Sequence, residues 1–194
     1  MDASVIAAIA KWPNVPAVFG WLSLTARGEW RLRGEPIRNI AICAFIGRNY
    51  AADERGRWFF QNGPQRVYVE LEVTPWIWRL DPQRPDAGIV THTDLPVRRL
   101  EGVWFDEVGR CYISSELGFG LVDSGSVERI QECLRAADGQ VPTDEAVSAW
   151  LDGAQRLVRM HGAGIGLTGD VEAGRLRAET LPQRFGFIRT PQTD

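Results

Sequence analysis

Val5, Ile6, Ile9 and Trp12 follow one another at helical spacing. Asp2 and Ser4 stand ahead of them as capping residues, and Pro13 and Pro16 stop the pattern. The period then changes to two. In FGWLSLTARGEWRLRG, Leu22 and Leu24 alternate with other residues, as do Trp30 and Leu32 beyond a turn at Arg27-Gly28. That predicts a β-hairpin with these four side chains inward. Ile37, Ile40, Ala41, Ala44 and Phe45 return to helical spacing, so a helix is expected to open at Gly34-Glu35-Pro36. After a polar turn from Asp53 to Gly56, WFFQ and RVYVELEVT predict a second hairpin closed at Asn62-Gly63. Val67, Val69, Leu71 and Val73 fall on one face, and Tyr68, Glu70 and Glu72 on the other. Beyond Pro75, Trp76, Trp78 and Leu80 alternate, DPQRPDAG reads as a surface loop, and IVTHT reads as a short strand.

The second half opens on another hairpin, GVWFDEVGRCYISSE, turning at Gly109, followed by a helix expected from Ser124 to about Arg135. Thr143 and Asp144 cap a helix through AVSAWL that ends at Gly153. AQRLVRM and GRLRAE read as strands, and LPQRFGF as a final turn with Phe185 and Phe187 packing back. The tail from Thr190 is expected to be loose. GWLSLTARGEWRLRGE and GVWFDEVGRCYISSE share a hairpin and a closing glutamate, matching Gly28 with Gly109, Leu32 with Ile113 and Glu35 with Glu116. This predicts an internal repeat of about 80 residues. The expected fold is α+β, two similar hairpin–helix–sheet units packed together, residues 1–88 with a leading helix and residues 89–194.

A chain of 194 residues is long enough for this. Its 22 basic and 25 acidic side chains give a net charge of −3, with 11 acidic against 3 basic residues from Glu101 to Asp152. Neither half has the basic stripe a phosphate backbone requires, which argues against nucleic acid as a partner. No stretch approaches the roughly 20 apolar residues of a membrane span, and Asp2 precedes the apolar N-terminal run where a signal peptide wants positive charge. Cys43, Cys111 and Cys133 are far apart in sequence; Cys43 and Cys111 read as small buried hydrophobes. This cysteine usage fits a reducing, cytoplasmic setting. Lys11 is the only lysine, an arginine excess that fits a GC-rich coding sequence.

Several motifs carry candidate chemistry. Gly164 to Gly169 spells G-x-G-x-x-G, but no helical period follows, so it reads as a glycine-rich hairpin turn. His92 and His161 lack partners at metal spacing. His92 with Asp94 is the one candidate pair for hydrolytic acid–base work. Glu70 and Glu72 share a strand face, as paired carboxylates do, and also as solvated hairpin residues do. Most of the eight tryptophans fall at inward strand positions. The densest polar constellation joins Arg48, Asn49 and Tyr50 at a helix end to Gln61, Asn62, Gln65 and Arg66 around a hairpin tip. Amides and guanidiniums beside aromatics suit a planar anion such as a nucleotide. Turn formation and helix capping account for the same residues.

The runs GEWRLRGEPI, FIGRNYAADERGRWFFQNGPQRVYVELEVTPW and LPQRFGF resemble an uncharacterised proteobacterial family of similar length. The layout is also similar to another uncharacterised bacterial family, described as a duplicated α+β unit with a pleckstrin-homology-like C-terminal half. That resemblance implies a nucleotide-type ligand between the halves and a signalling role. It supplies no catalytic residues and no cofactor, and the chain departs from it around Ala146 to Leu151 and Gly162 to Gly169.

The leading expectation is a non-catalytic cytoplasmic module binding a small anionic or nucleotide-like ligand between its units. Arg48 and Arg66 would neutralise charge; Asn49, Tyr50, Gln61, Asn62, Gln65 and His92 would complete the site. A protein-interaction module is the alternative, and a hydrolase using His92 and Asp94 the third.

Overall fold

The architecture is that of a computed structural model, which describes residues 1–80, 88–153 and 158–193. Helix α1 (Ala3–Lys11) leads into β1 (Val18–Leu24), β2 (Trp30–Leu32) and β3 (Glu35–Pro36), then α2 (Ile40–Arg48). Strands β4 (Tyr50–Ala52), β5 (Trp58–Asn62) and β6 (Gln65–Leu71) follow. Next come β7 (Trp76–Leu80), β8 (Ile89–Thr91), β9 (Leu100–Phe105), β10 (Cys111–Ser115) and β11 (Gly118–Val122). The chain continues through α3 (Val127–Gln131), β12 (Leu134–Ala136), α4 (Asp144–Leu151), β13 (Val158–His161), β14 (Asp170–Arg175) and α5 (Leu181–Phe185). Most of the DPQRPDAG loop and the first residues of AQRLVRM lie outside the described residues.

The elements form two compact units. One comprises Met1–Pro75 with Pro182–Asp194, the other Trp76–Leu181. The division thus falls at Pro75, not near Gly88, and the final segment belongs with the first unit. Its backbone is stitched there: Ile188 N–H donates to Gly56 C=O at 2.9 Å and Leu71 N–H to Arg189 C=O at 2.8 Å.

The first unit is a six-stranded sheet in the order β3-β2-β1-β6-β5-β4, with β1 and β6 parallel and every other pair antiparallel. The second is an eight-stranded sheet, β12-β13-β14-β9-β10-β11-β7-β8, with β7 parallel to β11 and β14 parallel to β9. A common motif lies inside both: a hairpin, then a three-stranded meander whose last strand runs parallel beside the hairpin's first. The fold is therefore α+β with two similar units.

The meanders match residue for residue. Phe59 pairs with Tyr68 and Ala52 with Trp58; 53 positions on, Tyr112 pairs with Leu121 and Phe105 with Cys111. Their turns read DERGR (53–57) and DEVGR (106–110). The hairpins correspond as well, since Arg31 lies opposite Pro36 and Val90 opposite Pro96. So β1–β2 answers to β7–β8, and the expected match of Gly28 with Gly109 is incorrect. Hairpins of similar composition occupy different places in the motif, and alternation alone does not say which hairpin is which.

Several local expectations also shift. Glu35 and Pro36 extend the first sheet, and α2 starts only at Ile40, where Asn39 Oδ1 accepts from the N–H groups of Ala41 and Ile42. Ile40 is consequently 84% exposed. Leu32, Ile6, Trp12 and Trp21 are exposed too, with the Arg33 guanidinium stacked 3.7 Å above Trp21. Cys43 is half-buried, whereas Cys111 and Cys133 are buried. The helix expected from Ser124 spans only Val127–Gln131, since Leu134–Ala136 pairs with β13. Strand β14 begins at Asp170, earlier than GRLRAE implied.

The cores follow the predicted alternation in part: Tyr68, on the face of β6 opposite Val69 and Leu71, is buried as well, and Trp76, Ile77 and Trp78 are buried in succession. Leu22, Leu24, Trp30, Ile46, Tyr50, Val69, Leu71 and Val73 are buried in the first unit. In the second, Trp78 is wholly inaccessible, and its indole Nε1 donates to Ile113 C=O at 2.8 Å.

Candidate functional site

The polar constellation picked from the sequence is brought together in part, around the start of the chain. Arg48 Nε donates to both oxygens of Asp2 at 3.2 and 3.3 Å. That hydrogen bond, more than any other contact, holds the Asp2 carboxyl below its usual range. Asn49 is 1% exposed; its Oδ1 accepts from Asp2 N–H at 2.7 Å and its Nδ2 donates to Phe45 C=O at 2.9 Å. Gln65 Nε2 donates to Pro16 C=O, and Gln61, buried, turns back onto Gly63 C=O. Tyr50 donates to Pro75 C=O at 3.1 Å. Asn62 closes the β5–β6 hairpin opposite Gln65. Arg48, Asn49 and Gln65 thus clasp the segment that carries α1.

Arg66 stands apart from that clasp. Its guanidinium lies 4.7 Å above the Phe59 ring. Among the described residues it has no hydrogen-bond or ion-pair partner. It borders a cavity of about 500 Å³ at the β4–β5 turn, shared with Asp53, Glu54, Arg55, Arg57 and Phe59.

The turn is built around one carboxylate. Asp53 Oδ1 accepts from the N–H groups of Arg55 and Arg57, each at 3.0 Å. Its Oδ2 accepts from Arg57 Nε at 2.8 Å and Tyr68 OH at 3.0 Å. Burial alone would raise the Asp53 pKa, but these donors together hold it below 3.8. The Arg57 guanidinium also sits 4.8 Å over Tyr68, on which Phe19 stacks at 4.5 Å. Asp53 is thus committed to Arg57, Tyr68 and the N–H groups of its own turn, and Glu54, Arg55 and Arg66 share the rest of the charged lining of the cavity.

His92 lies in the second unit, whereas Arg48 to Arg66 lie in the first. Its Nδ1 accepts from Ile77 N–H at 3.4 Å, and its ring lies 5.7 Å from Trp76. Burial first, and then the charge of Arg79, push its pKa down to about 3. The Asp94 carboxylate pairs with Arg79 at 2.5 Å, not with His92, so the pair imagined for hydrolysis is not assembled. His161 Nδ1 lies 3.4 Å from Asp170 Oδ2, across the β13–β14 ladder. The G-x-G-x-x-G run is the connection in that hairpin and leads into β14, not into a helix. Among the described residues no group of three His, Cys, Asp or Glu is placed to hold a metal ion, and no helix is long and apolar enough to cross a membrane.

A family model, DUF2944, described as "Protein of unknown function (DUF2946)", matches residues 1–192. The chain belongs to that family. No curated protein matches it. Among solved structures it is similar to a DUF1285 family protein from Silicibacter pomeroyi DSS-3. That likeness has 15% identity and a TM-score of 0.51, and covers 93% of this chain and 98% of the other. At such identity the likeness concerns the fold.

Within this family member, the residues that sequence reasoning missed are Asp53, Arg55 and Arg57. The signal was present as the repeated DExGR string at 53–57 and 106–110. The string marks corresponding turns only when the halves are aligned on it, and the amide-rich tip from Gln61 to Arg66 is the denser polar cluster in sequence.

Proposed function

We propose that the protein is a non-catalytic module that binds a small anionic, nucleotide-like ligand at the Arg55–Arg57–Arg66 cavity of its first unit. The observation that carries this reading is Arg66: a guanidinium stacked on an aromatic face, with its donors uncommitted, bordering a cavity large enough for a small ligand. A planar group can extend the Phe59–Arg66 stack while phosphate or carboxylate oxygens take the guanidinium edge. Arg57 supports the site by holding Asp53, so that this acid does not repel an anion.

Thermal unfolding against a panel of nucleotides and inorganic phosphate tests it. A ligand at 100 times its dissociation constant adds about 2.7 kcal/mol. Arg66→Ala should abolish the shift while Arg48→Ala, whose partner is Asp2, leaves it intact. A shift that persists in Arg66→Ala refutes this site.

A protein partner is the second reading, favoured by exposed Ile40 and Ile42 on α2. Ile40→Glu with Ile42→Glu should then abolish capture of the partner without altering ligand-induced shifts.

A further inference from the structure

A second cavity in the first unit, of about 700 Å³, lies over the β6–β1–β2 part of the sheet. Glu70, Ser23 and Arg31 line it in one cross-strand row, since Ser23 is in register with Glu70 on one side and Arg31 on the other. Residues in register across adjacent strands project to the same face. At a strand spacing of about 4.8 Å, the backbones of Glu70 and Arg31 are roughly 10 Å apart.

Both charges in that row are poorly met. Among the described residues the Glu70 carboxylate has no hydrogen-bond or ion-pair partner. Arg31 Nη2 lies 3.7 Å from Glu29, and its Nη1 reaches Gly34 C=O only at 3.5 Å. Its Nε is closed off from solvent and has no partner. Leaving a buried donor unmet is costly, and charged donors more so. Glu72 differs, because its Oε2 accepts from Ala26 N–H at 2.8 Å.

The geometry points to a site for a small zwitterion of the amino-acid class, its carboxylate on Arg31 and its ammonium on Glu70, with Ser23 between them. A carboxylate can take a guanidinium edge bidentately, and Arg31 is the arginine in the row that lines this cavity. The lining disfavours other ligands. Glu29, Glu70 and Glu72 outnumber Arg27 and Arg31, so a polyanion is repelled; a polyamine would leave Arg31 unmet. The site is separate from the Arg66 cavity and shares no residue with it.

The test is thermal unfolding and titration calorimetry of the full chain with the proteinogenic L-amino acids at millimolar concentration. The N-acetyl and methyl-ester forms of any that bind, together with spermidine and inorganic phosphate, complete the set. At least one free amino acid should bind. Acetylation or esterification should each weaken it tenfold or more, as should Arg31→Gln and Glu70→Gln, while Arg66→Ala leaves it unchanged. Unliganded melting of each variant shows that it is folded. The proposal is overturned if no amino acid binds, or if binding survives both Arg31→Gln and Glu70→Gln. Spermidine binding lost in Glu70→Gln but kept in Arg31→Gln also overturns it. Loss of binding in Arg66→Ala alone assigns the ligand to the other cavity.

Discussion

Asp53 and Asp106 hold the same place in the two units, yet the phenol that reaches each carboxylate comes from a different strand. Tyr68, on β6, donates to Asp53; Tyr112, on β10, donates to Asp106 at 2.8 Å. Each arginine four residues on closes the same ion pair, at 2.8 Å for Arg57 and 2.7 Å for Arg110. Tyr68 stands opposite Phe59, and Tyr112 opposite Leu121. The hydroxyl has changed sides of one cross-strand rung while the rung itself persists.

That exchange is testable. Tyr68→Phe removes one donor from a nearly buried carboxylate and should cost about 1–2 kcal/mol. Adding Phe59→Tyr moves the phenol to the strand position it holds in the second unit. The double variant should recover part of the loss in chemical denaturation; no recovery would mean that the two turns are not interchangeable.

Glycine is required differently at the two turns. Gly56 and Gly109 both have positive φ, +76° and +79°. A Cβ at Gly109 meets nothing within 4 Å, whereas one at Gly56 would lie 2.1 Å from the Gly186 carbonyl oxygen. Gly109→Ala should therefore cost only the left-handed backbone penalty, about 1–2 kcal/mol. Gly56→Ala must also displace the C-terminal segment, so proteolysis near Gly186 should accelerate in that variant alone.

Acid should destabilise the protein through His92. Its folded pKa of about 3 lies below the ordinary 6.5, so between these values the unfolded chain binds a proton that the folded chain refuses. Stability is complete above pH 6.5 and falls as pH drops toward 3. His92→Asn, which keeps an acceptor for Ile77 N–H, should flatten urea-unfolding stability across that window.

Asp53 acts at lower pH. Its depressed pKa means that its contribution is full above 3.8 and is lost as pH falls through the folded value. Asp53→Asn should cost on the order of 2 kcal/mol at neutral pH. Its denaturation curves should depend less on pH below 3.8 than those of the natural chain.

The clasp at the start of the chain divides unevenly. Asn49→Ala removes two hydrogen bonds from a buried amide, an expected loss of about 2 kcal/mol and roughly 5 °C in thermal midpoint. Arg48→Ala breaks an exposed pair with Asp2 and should leave the midpoint nearly unchanged.

What the sequence determined by itself was local. Alternation along RVYVELEVT predicted the strand β6 with Val69 and Leu71 buried, and Asn62-Gly63 predicted its hairpin. Thr143 predicted the start of α4, where its Oγ1 accepts from Ala146 N–H. These depend on period and turn chemistry, which neighbouring residues settle among themselves.

The tertiary structure decided what depends on distant partners. Leu134–Ala136 is a strand because β13 is there to pair with it. The parallel pairing of β1 with β6, and of β7 with β11, makes the two units alike, and no local pattern announces it. The same holds for the sites. Arg48 and Arg66 look equivalent in a list of cations, but Asp2 neutralises one from 46 positions away while the other rests on Phe59 with its donors open. Charge can be read from sequence, whereas whether that charge has already found a partner is a matter of three-dimensional distance.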